Sequence, residues 1–222
     1  MIGAYYYNLY NKYFKIKKDY GIKLYHVFKY HYGEFINNPG MYIKNDFLPF
    51  NEVIFDIGTQ YGDYALLWEK WFNSDIYVFE LLHLNYKILL KNIKINDSLI
   101  HPYNIAIGNG QNINYFIKSN MANKGYIYYK ETFTATIDNL VSELKVIPKL
   151  IKIDVEGFEY EVLYGGLNFL KQYHPKIILE VHSKELFEKC NNFLLSLNYE
   201  LQYTDNERSN GLMDYVANLY YL

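Results

Sequence analysis

The 222-residue sequence contains a single cysteine, Cys190, and has no apolar run long enough to cross a membrane. One cysteine can form neither an internal disulfide nor a thiol cluster for zinc, which favours a reducing, cytoplasmic setting. A secretory leader needs an apolar run of roughly 7–15 residues before a small-residue cleavage site. The opening MIGAYYYNLYNKYFKIKK shows no such run, so the sequence predicts neither a transmembrane segment nor a leader.

The sequence also has no excess of charge of one sign. Lysine and arginine number 22 against 24 aspartates and glutamates, for a formal charge of -2. Proteins that hold nucleic acid by its phosphates carry a basic field, so this balance argues against a nucleic-acid partner. Residues 1–50 are locally basic, with seven lysines and three acids.

Beyond residue 50, short apolar runs alternate with longer stretches of helical pattern, which is typical of parallel strands joined by crossover helices. The predicted strands are 53–57, 76–80, 103–107, 150–155, 176–181, 199–204 and 215–221. The predicted helices are 62–72, 84–95, 136–146, 158–171 and 184–197. No helix separates the last two strands, so one of them should run antiparallel at the end of the sheet. The sequence thus predicts one α/β domain, residues 51–222.

Two segments depart from this alternation. Residues 108–135 are punctuated by Gly and Asn between short β-like runs, which indicates a hairpin insertion. Residues 1–50 are predicted to be a helical extension, with Tyr-rich helices up to about residue 32 and a turn at 37–40. Residues 5–32 are candidates for peripheral contact with a membrane surface, for covering the sheet, or for a homodimer contact.

The first strand leads into DIGTQYG, an acidic residue followed by glycines at positions 58 and 62. Glycines let a backbone approach a ligand closely. A dinucleotide fingerprint would read G-x-G-x-x-G and deliver a pyrophosphate to a helix N-terminus. Asp56 would repel a phosphate and attract an ammonium or a ribose hydroxyl. These groups, without a phosphate, are those of S-adenosylmethionine.

The second strand also ends in a carboxylate, Glu80, at the position where nucleotide-binding α/β folds hold ribose hydroxyls. A helix cap is the structural alternative for Glu80, as a turn carboxylate is for Asp56. The next run, NIAIG at 104–108, should place backbone beside an adenine. The candidate cofactor contacts are Asp56, Gly58, Thr59, Gln60, Tyr61, Gly62, Glu80, Leu81, Asn104, Ala106 and Asp154.

With these segments, the sequence resembles the FkbM family of methyltransferases. The resemblance covers residues 50–185 and depends on DIGTQYGDYA, NIAIGN, TIDNL, LIKIDVEGFEYEVLYGG and PKIILEVH. It implies a Rossmann-like class I methyltransferase fold, in which a seven-stranded, mostly parallel sheet has an antiparallel last strand and helices on both faces. It also implies methyl transfer from S-adenosylmethionine to a hydroxyl of a sugar or a glycosylated small molecule. The family pattern has Glu-Pro where this chain has Glu80-Leu81, so the rim beside the adenosine should differ.

Methyl transfer to a hydroxyl needs in-line positioning and a group that removes the proton. Asp154 and Glu156 follow the fourth strand, and two neighbouring carboxylates can supply a base near neutral pH. His182, after the next strand, is a further catalytic candidate. The sequence does not indicate a metal. If a divalent cation is present, its ligands would be Asp154, Glu156, Glu180 and His182.

Two other functions fit the same fold. A nucleic-acid methyltransferase is disfavoured because the N-P-P-[YFW] turn that grips an extruded adenine is absent. A non-catalytic module that binds S-adenosylmethionine is disfavoured because the acidic and glycine positions of the site are all retained.

Overall fold

The computed structural model describes residues 15–19, 21–26, 51–119, 126–209 and 215–222. The strands in these ranges are β1 Lys15–Asp19, β2 Ile22–His26, β3 Val53–Ile57, β4 Asp75–Phe79, β5 His101–Tyr103, β6 Ala106–Ile107, β7 Asn112–Ser119, β8 Tyr126–Ala135, β9 Leu150–Ile153, β10 Lys176–Val181, β11 Leu201–Ser209 and β12 Tyr215–Tyr221. The helices are α1 Asp63–Phe72, α2 His83–Ile95, α3 Ile137–Leu144, α4 Glu159–Tyr164, α5 Leu167–Tyr173 and α6 Lys184–Ser196. Among the described helices, none is both long and apolar enough to cross a membrane.

The main sheet has seven strands in the order β11-β12-β10-β9-β3-β4-β5. Strands β10, β9, β3, β4 and β5 pair in parallel, whereas β12 is antiparallel to both of its neighbours. This confirms the mostly parallel seven-stranded sheet with an antiparallel last strand. The antiparallel strand lies inside the edge and not at it, because β11 takes the outer position.

Helices cover both faces of the sheet, as predicted. The central strands are apolar at successive positions, so both of their faces must be buried. Phe55 and Ile57 face one core with residues of α3, α4, α5 and α6. Ile54 and Val78 face the other core, which α1, α2 and β2 cover. Successive side chains of a strand point to opposite faces, so one apolar strand supplies both cores.

The predicted strand 103–107 is wrong as a single element. Tyr103 ends β5 in the main sheet, and β6 pairs instead with β8 in a separate three-stranded sheet. The chain leaves the main sheet at Asn104, whose side-chain Nδ2 donates to the backbone oxygens of Glu80 and Leu81. The predicted hairpin insertion is confirmed, since β7 and β8 pair antiparallel; residues 120–125 lie outside the described residues.

The helical prediction for residues 15–26 is also wrong, because β1 and β2 form an antiparallel hairpin. Alternation decides this: Ile22 and Leu24 are buried, and Lys23 between them is exposed. The period of two places both apolar side chains in the core beside α1 and α2. The remaining predictions for 1–50, including the turn at 37–40, fall on residues outside the described ranges, and the domain boundary at 50 stays a prediction.

The predicted helix 158–171 is divided into α4 and α5 at Gly165 and Gly166. Neither glycine has the left-handed conformation expected of a helix cap, since their φ angles are -69° and -109°. Glycine is required at 165 because a Cβ there would overlap the backbone oxygen of Gly108. At 166, a Cβ would lie 3.1 Å from the Ile137 side chain.

We expect Gly165→Ala to lower the free energy of unfolding by about 3 kcal/mol, because the new methyl would collide with the backbone of Gly108, which cannot move without displacing the β6–β7 connection. The matched control is Gly166→Ala, whose neighbour is a side chain, with an expected cost of about 1 kcal/mol. Urea unfolding followed by circular dichroism measures both. Equal costs for the two variants would show that the approach of Gly108 does not limit this position.

Candidate active site

A cavity of about 640 Å³ opens at the carboxyl ends of the central strands, where ligands bind in open α/β sheets. Gly58, Glu80, Asp154 and Glu180 follow or end four of these strands and line it. Hairpin residues 113–115 line it as well. One cavity therefore joins the sheet edge to the insertion.

Nine of the residues predicted for the site lie on the cavity wall. They are Gly58, Thr59, Gln60, Glu80, Leu81, Ala106, Asp154, Glu156 and Glu180. Five others do not line it: Asp56, Tyr61, Gly62, Asn104 and His182. The candidate set is therefore gathered around one cavity, but part of it lies behind the wall.

The two glycines of the DIGTQYG loop have positive φ angles, 82° at Gly58 and 78° at Gly62. A Cβ on Gly58 would overlap the backbone oxygen of Asp154, and one on Gly62 would overlap Leu89. These glycines let the loop pack closely against β9 and α2. Tyr61 is buried in the same loop, and burial together with the charges of Asp63 and Glu80 raises its pKa to about 12.

Glu80 is a cavity carboxylate held by backbone donors. Its Oε2 accepts from the Gln60 N–H at 2.9 Å, and its Oε1 accepts from the Leu82 N–H at 2.7 Å. Burial, which leaves the residue 6% exposed, raises the pKa of this carboxyl to about 7 although both backbone bonds lower it. The bonds fix both oxygens relative to the glycine loop.

Asn104 acts behind Glu80. Its Nδ2 donates to the backbone oxygens of Glu80 and Leu81 at 2.7 and 3.0 Å. Its Oδ1 lies 2.9 Å from Nδ1 of His83, at the start of α2. Asn104 therefore holds the loop that carries Glu80 and Leu81.

Lys152 is the main residue of the site that the sequence analysis missed. It is 4% exposed and lines the cavity, and its Nζ lies 3.4 Å from Asp56 Oδ1 and 3.2 Å from Asp154 Oδ2. Asp56, also buried, accepts from the Thr59 hydroxyl at 2.7 Å. Lys152 thus joins β3 to β9 below the cavity floor and keeps Asp56 behind it.

A signal for Lys152 was present in LIKID, where a lysine interrupts an apolar strand. A buried lysine needs a carboxylate partner, so its presence predicts a charge cluster. Burial alone lowers the pKa of Lys152, but the charges of Asp154, Asp56 and Glu180 outweigh burial and raise it. Lys152 is therefore a cation at neutral pH and not a base.

His182 lies among four carboxylates at the end of β10. Its Nε2 is 3.4 Å from Glu156, 3.6 Å from Glu180 and 3.9 Å from Asp154. Its Nδ1 is 3.3 Å from Oε1 of Glu159, without the angle of a hydrogen bond. Burial lowers the pKa of His182, but these carboxylates outweigh burial and raise it to about 9, so the ring is protonated near neutrality.

The turn after β9 presents Asp154 and Glu156 differently. Glu156 and Gly157 both have positive φ angles, 56° and 106°. Oε1 of the fully buried Glu159 accepts from the backbone N–H groups of Val155 and Gly157. The turn therefore leaves the Glu156 side chain 84% exposed, whereas that of Asp154 is 23% exposed beside Lys152.

The sequence analysis also missed part of the apolar and hairpin wall. It includes Leu82, Asn85, Phe158, Ile113, Asn114 and Tyr115. The hairpin residues belong to none of the motifs, and only folding places them at the cavity.

Three comparisons relate this site to known proteins. A family model for the methyltransferase FkbM domain matches residues 56–201. A search of curated proteins finds no significant match. The fold is similar to that of methyltransferase FkbM from Methylobacillus flagellatus KT, with a TM-score of 0.59 and 18% identity over 82% of this chain and 47% of that one. The chain thus spans about half the length of that protein.

Other solved structures with this fold come from M. jannaschii. TYW2 in complex with AdoMet has a TM-score of 0.55 and 13% identity, over 94% of this chain and 86% of that one. The tRNA m1G37 methyltransferase has a TM-score of 0.59 and 14% identity, over 94% of this chain and 56% of that one. At these identities the likeness shows the fold alone. The family match covers most of the chain and every strand of the sheet edge that forms the cavity, so the protein belongs to the FkbM family of methyltransferases.

Proposed function

We propose that this protein transfers a methyl group from S-adenosylmethionine to a hydroxyl oxygen of a sugar, a glycan or a glycosylated small molecule. One observation carries the proposal: a single cavity joins a fixed carboxylate suited to a ribose, Glu80 after β4, to the Asp154–Glu156 pair after β9, with β3 between the two strands. The cytoplasm stays the predicted setting. The single cysteine, Cys190, is free and buried.

The residues present fit S-adenosylmethionine. The volume of about 640 Å³ lies within the range of about 300–1,000 Å³ that is usual for small-molecule sites, and most of the exposed wall is apolar. Leu81, Ala106 and Phe158 give flat apolar contacts suited to a purine. The carboxylate of Asp63, on the cavity wall, suits the ammonium of the amino-acid part.

Each group on the binding side has a physical role. Glu80 accepts the two ribose hydroxyls, since its oxygens are held in place by the Gln60 and Leu82 N–H groups. Asn104 holds that loop in place. Lys152 and Asp56 neutralise each other below the floor and keep the backbone of Gly58 against β9. These contacts are all present in the structure, so the binding side of the cavity is already formed.

S-adenosylmethionine supplies an activated methyl group on a sulfonium. A carboxylate of the Asp154–Glu156 pair takes the proton of the acceptor hydroxyl while the oxygen of that hydroxyl bonds to the methyl carbon. The carbon–sulfur bond breaks as that bond forms, and its electron pair stays on sulfur in S-adenosylhomocysteine. His182, already protonated, orients the pair through the Glu156 and Asp154 contacts and does not act as a base near neutral pH.

The charges on the wall argue against a nucleic-acid acceptor. Asp154, Glu156 and Glu180 all face the cavity, and carboxylates there would repel the phosphates on either side of a target base. A neutral, hydroxyl-rich acceptor meets no such penalty.

We expect calorimetric titration with S-adenosylmethionine or S-adenosylhomocysteine to give a micromolar Kd, about -8 kcal/mol. The measurement needs no knowledge of the acceptor. Binding would distinguish this protein from one that keeps the fold but no longer binds the cofactor. Screening of hydroxylated acceptors would then distinguish an enzyme from a binding module. Absence of heat for both compounds, with the protein folded, would overturn the proposed function.

A further inference from the structure

Three side chains that can ligate a cation lie close together at the polar end of the cavity, two of them on its wall and the third, His182, behind the wall. Asp154 and Glu180 come from the ends of the neighbouring parallel strands β9 and β10, and His182 follows β10 directly. One ligand atom from each lies within 4.8 Å of the other two. Nε2 of His182 lies 3.9 Å from Asp154 and 3.6 Å from Glu180, and two bonds of about 2.0–2.2 Å from one divalent metal to oxygen and nitrogen can span such separations.

The orientation of His182 suits a ligand, which the ring becomes when a cation displaces its proton. Its Nε2 faces Glu156, Glu180 and Asp154, while its Nδ1 faces Glu159. Glu159 is fully buried, and its Oε2 has no hydrogen-bond partner among the described residues. A carboxylate behind the second ring nitrogen is the arrangement that orients metal-binding histidines.

Among the described residues, acidic side chains outnumber basic ones here. The acidic side chains are those of Asp56, Asp154, Glu156, Glu159 and Glu180, and the basic side chains in contact with them are those of Lys152 and His182. Lys152 lies on the Oδ2 side of Asp154, and His182 lies on the Oδ1 side. The cavity end therefore attracts a further cation from solvent.

We propose that Asp154, Glu180 and His182 bind a hard divalent cation of the Mg²⁺ or Mn²⁺ class at the polar end of this cavity. Two carboxylates and one imidazole favour such an ion over the softer metals, which prefer thiolates. Glu156, with its exposed side chain, is next to the site, 3.4 Å from Nε2 of His182.

The catalytic role of this cation depends on the proposed methyl transfer, but its binding does not. A cation at this position would lower the pKa of an acceptor hydroxyl placed beside it. The hydroxyl proton would then pass to Glu156, the carboxylate of the pair that is outside the three-ligand set. Acceptors with two adjacent hydroxyls would be favoured, because both oxygens can reach one cation.

The test is a titration with MnCl₂ alone, followed by electron paramagnetic resonance of free Mn²⁺ and by calorimetry. We expect one ion per chain, a Kd below about 1 mM, and binding weakened about tenfold or more in Glu180→Gln. Glu185→Gln is the matched control, since Glu185 is exposed in the first turn of α6 and outside the cluster. Its Mn²⁺ affinity should equal that of the original protein.

A second measurement keeps the proposal falsifiable if Glu180→Gln fails to fold. Mn²⁺ should raise the Tm of the original protein, and Mg²⁺ should displace the bound Mn²⁺. No binding up to about 1 mM, or equal binding by both glutamine variants, would overturn the cation site. S-adenosylmethionine titration in EDTA is the separate arm: retained affinity there leaves the proposed function intact whatever Mn²⁺ does.

Discussion

Asp154→Asn should reduce the methyl-transfer rate by about 100-fold or more while S-adenosylmethionine affinity changes by no more than about threefold. Asp154 is the carboxylate that faces the cavity between Lys152 and His182, at 3.2 and 3.9 Å. An amide keeps the shape but neither removes a proton nor balances the lysine. The binding groups at Glu80 and the glycine loop are untouched.

The measurement is a single-turnover assay of methyl transfer to the acceptor found by screening, with calorimetry for affinity. Asp97→Asn is the control, because Asp97 is exposed in the turn after α2 and its φ angle of 50° suits asparagine. It should behave as the original protein. An Asp154→Asn enzyme with normal turnover would remove this residue from the catalytic assignment.

Glu80→Gln should weaken S-adenosylmethionine binding by about 10- to 100-fold, since a charged hydrogen bond contributes about 1.5–3 kcal/mol. The same change should stabilise the free protein at pH 8. Burial raises the pKa of Glu80 to about 7, so the folded chain holds this proton more tightly than the unfolded chain. That contribution is complete below the ordinary pKa of 4.5 and is lost as pH rises through 7.

We therefore expect Glu80→Gln to raise the free energy of unfolding by about 1–2 kcal/mol at pH 8 and by little at pH 5, where Glu80 is already protonated. The gain is below the full shift because glutamine has one acceptor oxygen for the Gln60 and Leu82 N–H groups. Binding by the original protein should fall below pH 7, because the proton must leave before the carboxylate accepts the ribose hydroxyls.

Urea unfolding and calorimetry at pH 5, 6, 7 and 8, run on the original protein and on Glu80→Gln, measure both effects. Glu131→Gln is the control for the loss of one carboxylate, since Glu131 is exposed on β8 and does not line the cavity. A pH-dependent affinity that persists unchanged in Glu80→Gln would show that another group controls binding.

The main elements of the fold could be predicted because their signals are local. Strands β3, β9 and β10 are apolar runs with period-two packing into two cores, and α1, α2 and α6 lie within one residue of their predicted bounds. The failures have a common cause. Residues 15–26, 103–107 and 158–171 each depend on contacts with distant segments: Ile22 and Leu24 against α1 and α2, Asn104 on the Glu80 loop, and Gly165 against Gly108.

The sequence by itself determined the family, the order of the motifs and the strand ends that carry acidic residues, because each of these depends on a short contiguous segment of the chain. Only the tertiary structure decided which of those residues face the cavity. Asp56 and Lys152 lie on neighbouring strands, and their pairing withdraws the aspartate from the wall and makes the lysine part of it. The reason is physical: burying a charge is costly without its partner, and a partner on another strand is brought within reach only when the sheet forms.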